Sequence, residues 1–408
     1  MNLDANSSTA PAAANLSFAR WATLLGLLTA VGPFAIDMYL PALPALATSL
    51  AISSRDAQIS VMAFFASLGA GQLVVGPMTD RWGRRRPMLA GLAAYTVASI
   101  GCATAPSLEV LVVMRVVQGL GACACMVTPR AVVRDLYSGA AAARLMSVLL
   151  TIYSVSPIAA PLLGSAVARW GGWRGVFFAL SIIGACGLML VALVLPETRV
   201  ARSGTRPLWR DVRDGYAELL ADREFVAVAM LASMSVSTFF VFVANSSFVY
   251  TAHFGVSPTR YAALFAVNAI VLVAMSRLTT GIAARLGLRR AILVGSSVQT
   301  LAFACVLVLF WLGIDSLAMM VVGLAIGFGI NGVIVPSTFV LAMERHATRA
   351  GSASALIGTF NFAGGAAVVA MVSAFADGTA LPMLAGICTC ALIAFGLAWR
   401  SSKSAQKR

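Results

Sequence analysis

Long apolar runs, each able to cross a bilayer and most separated by only a few polar residues, constrain this 408-residue chain more than any other feature. Twelve such runs are legible between Ala22 and Trp399. The composition fits, at 60% hydrophobic and 11% charged residues against roughly 25% charged in soluble domains. In hydrocarbon every backbone polar group must be satisfied within the segment, so such runs fold as helices. An all-α membrane protein follows.

The connecting stretches set the topology. Between the second and third runs lies Gly76–Pro87 (GPMTDRWGRRRP), with Asp80 and four arginines, Arg81, Arg84, Arg85 and Arg86. These charges demand a tight turn at a membrane surface, and short Arg-rich loops stay in the cytoplasm. Gly76 and Gly83 are expected to allow close approach or positive φ, and Pro77 and Pro87 to mark the two helix ends. With alternating sides, most of the 29 Lys and Arg fall on the cytoplasmic face, leaving Arg55, Arg169, Arg174 and Arg260 outside. The expected order is a cytoplasmic tail (1–19), six spans (20–195), a polar cytoplasmic linker (196–224), six spans (225–399) and a cytoplasmic tail (400–408). The net charge of +14 then orients the chain and attracts anionic lipid heads, so no nucleic-acid partner is expected.

Three charges sit within the runs, of which Arg277, near the cytoplasmic end of the eighth, is explained by snorkelling. Asp37 lies in Ala35–Pro41 (AIDMYLP) of the first run. An ionised Asp at a span's centre costs about 3 kcal/mol. It therefore faces a polar cavity, meets a cation or takes up a proton; alternatively, near Pro41 and Pro44, it is simply hydrated at the outer end. Arg115 lies in the fourth run and stays charged. Asp37 is the acid available to it, with snorkelling to the outer surface as the alternative. The seven cysteines all lie in apolar runs and suit packing rather than disulfides; no metal-ligand spacing is present.

Gly76, Asp80, Arg81, Gly83, Arg84 and Arg85 match every fixed position of G-x-x-x-D-R-x-G-R-R, so the stretch resembles the signature loop of the major facilitator superfamily. A fainter copy, Ala284–Arg290 (ARLGLRR), repeats Arg81, Gly83, Arg85 and Arg86 as Arg285, Gly287, Arg289 and Arg290, with Ala284 in place of the acid. The resemblance implies the major facilitator fold: twelve transmembrane helices in two pseudo-symmetric six-helix bundles. Arg115 and Gly119 resemble the family's R-x-x-x-G motif, linked in relatives to proton transfer. Ser147, Ser156, Ala160-Pro161 and Gly164-Ser165 resemble the antiporter motif G-x8-G-x3-G-P-x2-G-G with Ser or Ala at four glycines. Ala35–Pro44, Gly69–Pro77, Arg130–Leu136, Phe239–Tyr250 and Ala350–Gly358 resemble drug:proton antiporters of the bicyclomycin/chloramphenicol-resistance type. Where some of these carry a second acid in helix 1, this chain has Thr29.

That resemblance implies a bacterial inner-membrane exporter of small lipophilic drugs in exchange for protons, monomeric and without cofactor or metal. Asp37 and Arg115 are then the proton-coupling pair. Tyr39, Phe64, Gln118, Tyr153, Phe240, Asn245, Asn268 and Asn361 are candidate cavity residues, with interhelical packing as their alternative. Gly76, Asp80, Arg81, Gly83, Arg84 and Arg85, with Arg134, Asp135, Pro161 and Gly164, form the candidate gate. Asp80 is expected to cap the eleventh helix near Gly351 or to pair with Arg84 or Arg134. His253 and His346 are expected in solvated loops. The competing cargo is a sugar, amino acid or other metabolite on the same fold, exported or taken up. No catalytic constellation marks an enzyme.

Overall fold

The computed structural model describes residues 16–198, 208–344, 346 and 349–406. The expected tail up to residue 15, residues 199–207 of the linker, and Lys407 and Arg408 lie outside them. The described elements are helical. They are α1 (Phe18–Asp37), α2 (Leu43–Ser49), α3 (Ser54–Trp82), α4 (Arg85–Ala103), α5 (Leu108–Leu136), α6 (Gly139–Val194) and α7 (Leu208–Ala221). After these come α8 (Arg223–Phe248), α9 (Pro258–Leu286), α10 (Leu288–Trp311), α11 (Leu317–Met343), α12 (Ala350–Ser373) and α13 (Leu381–Gln406). With α7 set aside in the linker, α1 and α2 taken as one broken span and α6 as two, they make twelve crossings.

The first span departs from one continuous helix. It breaks after Asp37, passes through a 3-10 turn at Leu40–Ala42 and resumes as α2. Pro41 and Pro44 have no N–H to offer the carbonyls of Asp37 and Leu40, so the ladder loses two bonds within one turn, where the helix breaks. The fifth and sixth spans are joined more tightly than expected. Gly172, at φ 60° and ψ −164°, turns the chain in a conformation that favours glycine. Ser and Asp side chains start several spans: Ser17, Ser53, Asp222, Ser257 and Ser316 each accept from a first-turn N–H. The linker is also not a plain loop, because it holds the helix α7.

Helices α1–α6 pack among themselves, as do α8–α13. The two bundles meet chiefly through α3 against α12 and α6 against α9, pairs that exchange under a two-fold relation between the halves. Small residues permit this closeness: Gly69 abuts Ala363, Gly358 abuts Gln72, and the Thr359 hydroxyl donates to the Gly69 carbonyl at 2.9 Å. The repeated loops bear out the internal repeat. Gly83 and Gly287 have φ 82° and 77°. Arg85 and Arg289 each reach a backbone carbonyl near the end of their bundle's last span, Ala192 at 2.5 Å and Ser401 at 3.2 Å. Of the cysteines, Cys186 and Cys305 are exposed and the other five are buried. The face that carries α7 is here the linker face.

Candidate functional site

Asp37 is the last residue of α1, 3% exposed, and has no hydrogen bond or ion pair among the described residues. The turn that follows it, Leu40–Ala42, packs against α6 of the first bundle and against α8 and α9 of the second. The carboxyl thus lies between the bundles, beside the break in its own helix. Gly164 of α6 makes the break possible: the Met38 carbonyl occupies the place where a Cβ on Gly164 would stand. Pro161, three residues earlier, is buried inside α6 and frees a carbonyl there. Toward the linker face, Phe34, Ala30, Leu27 and Thr23 continue the face of α1 that carries Asp37. Exposure along this stripe rises from 3% at Asp37 to 57% at Leu27. The stripe is thus exposed toward the linker face and closed at Asp37.

Arg115 and Asp37 do not form an ion pair. The Arg115 guanidinium, fully buried, donates to the carbonyls of Ala35 (3.1 Å) and Ser60 (3.2 Å) and to Gln118 Oε1 (2.6 Å). Gln118 in turn donates to Ser99 Oγ at 2.8 Å. Arg115 Nη2 has no hydrogen-bond partner among the described residues, and Phe64, Tyr39 and Phe177 surround the guanidinium with ring centroids 4.2, 5.2 and 5.7 Å from Cζ. Oriented carbonyls and aromatic faces replace the expected carboxylate. The structure therefore places Tyr39, Phe64 and Gln118 around Arg115, each fully buried, rather than on an open wall.

The remaining cavity candidates divide. Phe240 stacks on Phe65 at 4.4 Å and faces Phe362 at 5.3 Å, joining the bundles. Asn245 Oδ1 accepts from Gln58 Nε2 at 3.1 Å, a second bridge between bundles on the face away from the linker. Asn268 is buried, and its amide donates to Leu264 at 3.4 Å. Tyr153 and Asn361 are half-buried, and Asn361 Oδ1 has no hydrogen-bond partner among the described residues. Arg130, near the cytoplasmic end of the fourth run, lies inside α5.

At the linker face the hub of the gate residues is Arg84 rather than Asp80. Arg84 is 2% exposed and donates to Asp135 through Nε (2.7 Å) and Nη2 (3.2 Å), to Asp80 (2.8 Å) and to Thr79 (3.1 Å). Burial opposes its charge, but the bonds to Asp135 and Asp80 prevail and raise its pKa. Glu197, unremarked in the sequence, accepts from the backbone N–H groups of Arg84 (2.6 Å) and Arg85 (3.1 Å) and caps α4. A Cβ on Gly83 would collide with that carboxylate. Gly76 differs from expectation: it sits within α3 with open space where a Cβ would go, and Pro77 is inside the helix, which runs on to Trp82. Arg81 and Arg134 are exposed.

Both histidines are paired. His253 meets Asp315 at 2.5 Å, and His346 meets Asp222 at 3.0 Å. These acids are 62 and 124 residues away in sequence, so local context gave no sign of them.

The family model described as Major Facilitator Superfamily matches residues 25–369. The chain belongs to that superfamily of transporters. It is 34% identical over 367 residues to the uncharacterized MFS-type transporter YdgK of Bacillus subtilis, covering 89% of this chain and 90% of the relative. It is 28% identical over 374 residues to a bicyclomycin resistance protein homolog of Haemophilus influenzae, covering 90% and 92%. Among solved structures, a bacterial homolog of the human lysosomal transporter Spinster, in an inward-facing and occupied conformation, superposes with TM-score 0.72 at 15% identity over 94% of this chain and 96% of that one. As a member, the chain is a multi-pass membrane transporter and not an enzyme.

Proposed function

We propose that this transporter exports small lipophilic drugs, bicyclomycin- or chloramphenicol-like, in exchange for protons by alternating access. One observation carries the proposal: a buried carboxyl, Asp37, without a partner among the described residues, between the bundles and at the closed end of a stripe exposed toward the linker face. A carboxyl so placed is costly when ionised and free of constraint when protonated, which suits it to trade a proton with that face. Protonation in one facing state and ionisation in the other makes proton binding shift the population between states. The relative named for bicyclomycin resistance supports the drug class.

In this proposal the linker face is cytoplasmic in the bacterial inner membrane, with both termini on that side. The division into tail, bundle, linker, bundle and tail is retained, and the unit is a monomer. The Gln58–Asn245 and Phe65–Phe240 contacts close the outer face. Arg84, Asp80, Asp135 and Glu197 latch the cytoplasmic loop. Tyr153, Asn361 and Arg130 serve as cavity residues, while Arg115 fixes the broken first span against α3 and α5. Efflux from membrane vesicles under an imposed pH gradient tests it. Wild type is expected to move chloramphenicol only with the gradient, and Asp37→Asn not at all; gradient-independent efflux overturns proton coupling. Uptake of a sugar in the same vesicles, with no drug movement, favours the alternative cargo.

A further inference from the structure

An apolar groove of about 390 Å³ opens on the side of the second bundle near the linker face. Leu220 of α7, Val226, Ala227 and Met230 of α8, and Ile393 and Leu397 of α13 line it, with Arg223 at its mouth. Its volume lies within the roughly 300–1,000 Å³ of small-molecule sites. The flanking acids are already engaged. Asp222 pairs with His346 and caps α8, while Glu224 pairs with Arg289. Arg223 is exposed and has no partner among the described residues. Arg400, three residues beyond Leu397 on α13, adds a second positive charge on the same stretch.

A cation at the membrane–water boundary above an apolar slot within the membrane suits a molecule with an anionic head and a hydrocarbon tail. We propose that this groove holds an anionic phospholipid, with the headgroup phosphate on Arg223 and an acyl chain between α8 and α13. Burying the chain in an apolar slot favours any lipid; the arginine selects the anionic one. The bound lipid would also join α7 to both helices, tying the linker to the second bundle. The leaflet involved is that of the linker face.

The test measures retained lipid rather than transport, so it stands or falls apart from the proposed drug export. The full chain is reconstituted in equal phosphatidylglycerol and phosphatidylcholine, transferred to mild detergent, and its bound lipid counted by native mass spectrometry. Wild type is expected to retain phosphatidylglycerol over phosphatidylcholine by about fivefold, the discrimination one surface arginine supplies. Arg223→Gln should lower that ratio severalfold, what preference remains coming from Arg400 and the other linker-face arginines. Leu397→Trp, which fills the slot, should reduce both lipids; if it fails to fold, Ala227→Leu fills the slot from the other wall. Equal retention by wild type, an unchanged ratio in Arg223→Gln, or displacement of the lipid by chloramphenicol would overturn the assignment.

Discussion

The carbonyl of Met38 and the Cα of Gly164 pack so closely that no side chain fits between them. This contact lets the first span break beside Asp37 and brings the small-residue stretch of α6 against the carboxyl's own turn.

Gly164→Ala should therefore destabilise the protein by about 1–3 kcal/mol, the range for forcing a methyl into a packed site. Gly76→Ala provides the contrast: nothing stands within 4 Å of its added Cβ. That substitution should leave stability unchanged or raise it by up to about 1 kcal/mol. Thermal unfolding in one detergent compares the two. Equal losses would contradict the packing described for Gly164.

Removing Arg84 leaves Asp135 and Asp80 without their shared cation. Only Arg84 is fully buried and both acids are part-exposed, so the loss should be about 1–3 kcal/mol. Asp80→Asn should cost far less, below about 1 kcal/mol, because that side chain is 52% exposed and its bond to Arg84 is one of several. Its effect should appear instead in the rate of exchange between facing states. Unfolding and transport measured on both variants separate the roles.

Much of this latch was legible in the sequence, because four arginines and an acid between two spans must lie at a surface. The hub was not. Arg84 gains its role from Asp135, 51 residues on, and Glu197, 113 residues on, and neither spacing carries a signal along the chain. The first span shows the same limit: Pro41 and Pro44 were read as lying within one continuous span, and the partner that accommodates the break, Gly164, is fixed only by packing. Arg115 was expected to seek the nearest acid because side chains are what a sequence displays; the carbonyls of Ala35 and Ser60 became acceptors only once three helices met. Helix α7 had a readable trace, apolar residues at Leu208, Val212, Tyr216 and Leu219, that the surrounding charges obscured.

The carboxyl of Asp222 is partly buried, which works against ionisation, but the N–H groups of Glu224 and Phe225 and the His346 ring outweigh this and hold its pKa below the usual carboxylate range. A depressed folded pKa gives stability that is complete above the unfolded value of about 3.9 and lost as pH falls through the folded one. Asp222→Ala should cost about 1 kcal/mol at neutral pH through the lost cap. Asp222→Asn keeps an acceptor and should cost less. The loss in Asp222→Ala should shrink as pH is lowered from 5 toward 3, as read from unfolding midpoints; a constant loss would contradict the ionised cap.

The Gln58–Asn245 hydrogen bond spans the bundles on the face away from the linker. A neutral bond of this kind contributes about 1 kcal/mol net. Asn245→Ala should therefore shift the facing equilibrium about fivefold toward the state open on that face. Double electron–electron resonance between spin labels, one on each bundle's outer rim, reads the populations. An unchanged distance distribution would mean that Phe65 and Phe240 close that face alone.

The central claim is that cargo and proton contend for one buried carboxyl. Proton release from purified protein in weak buffer, on adding chloramphenicol, measures this without membrane or gradient. Wild type should release close to one proton per drug bound, and Asp37→Asn none while still folded. Drug binding that leaves the proton count unchanged in wild type, or equal release by the Asn variant, would contradict the account.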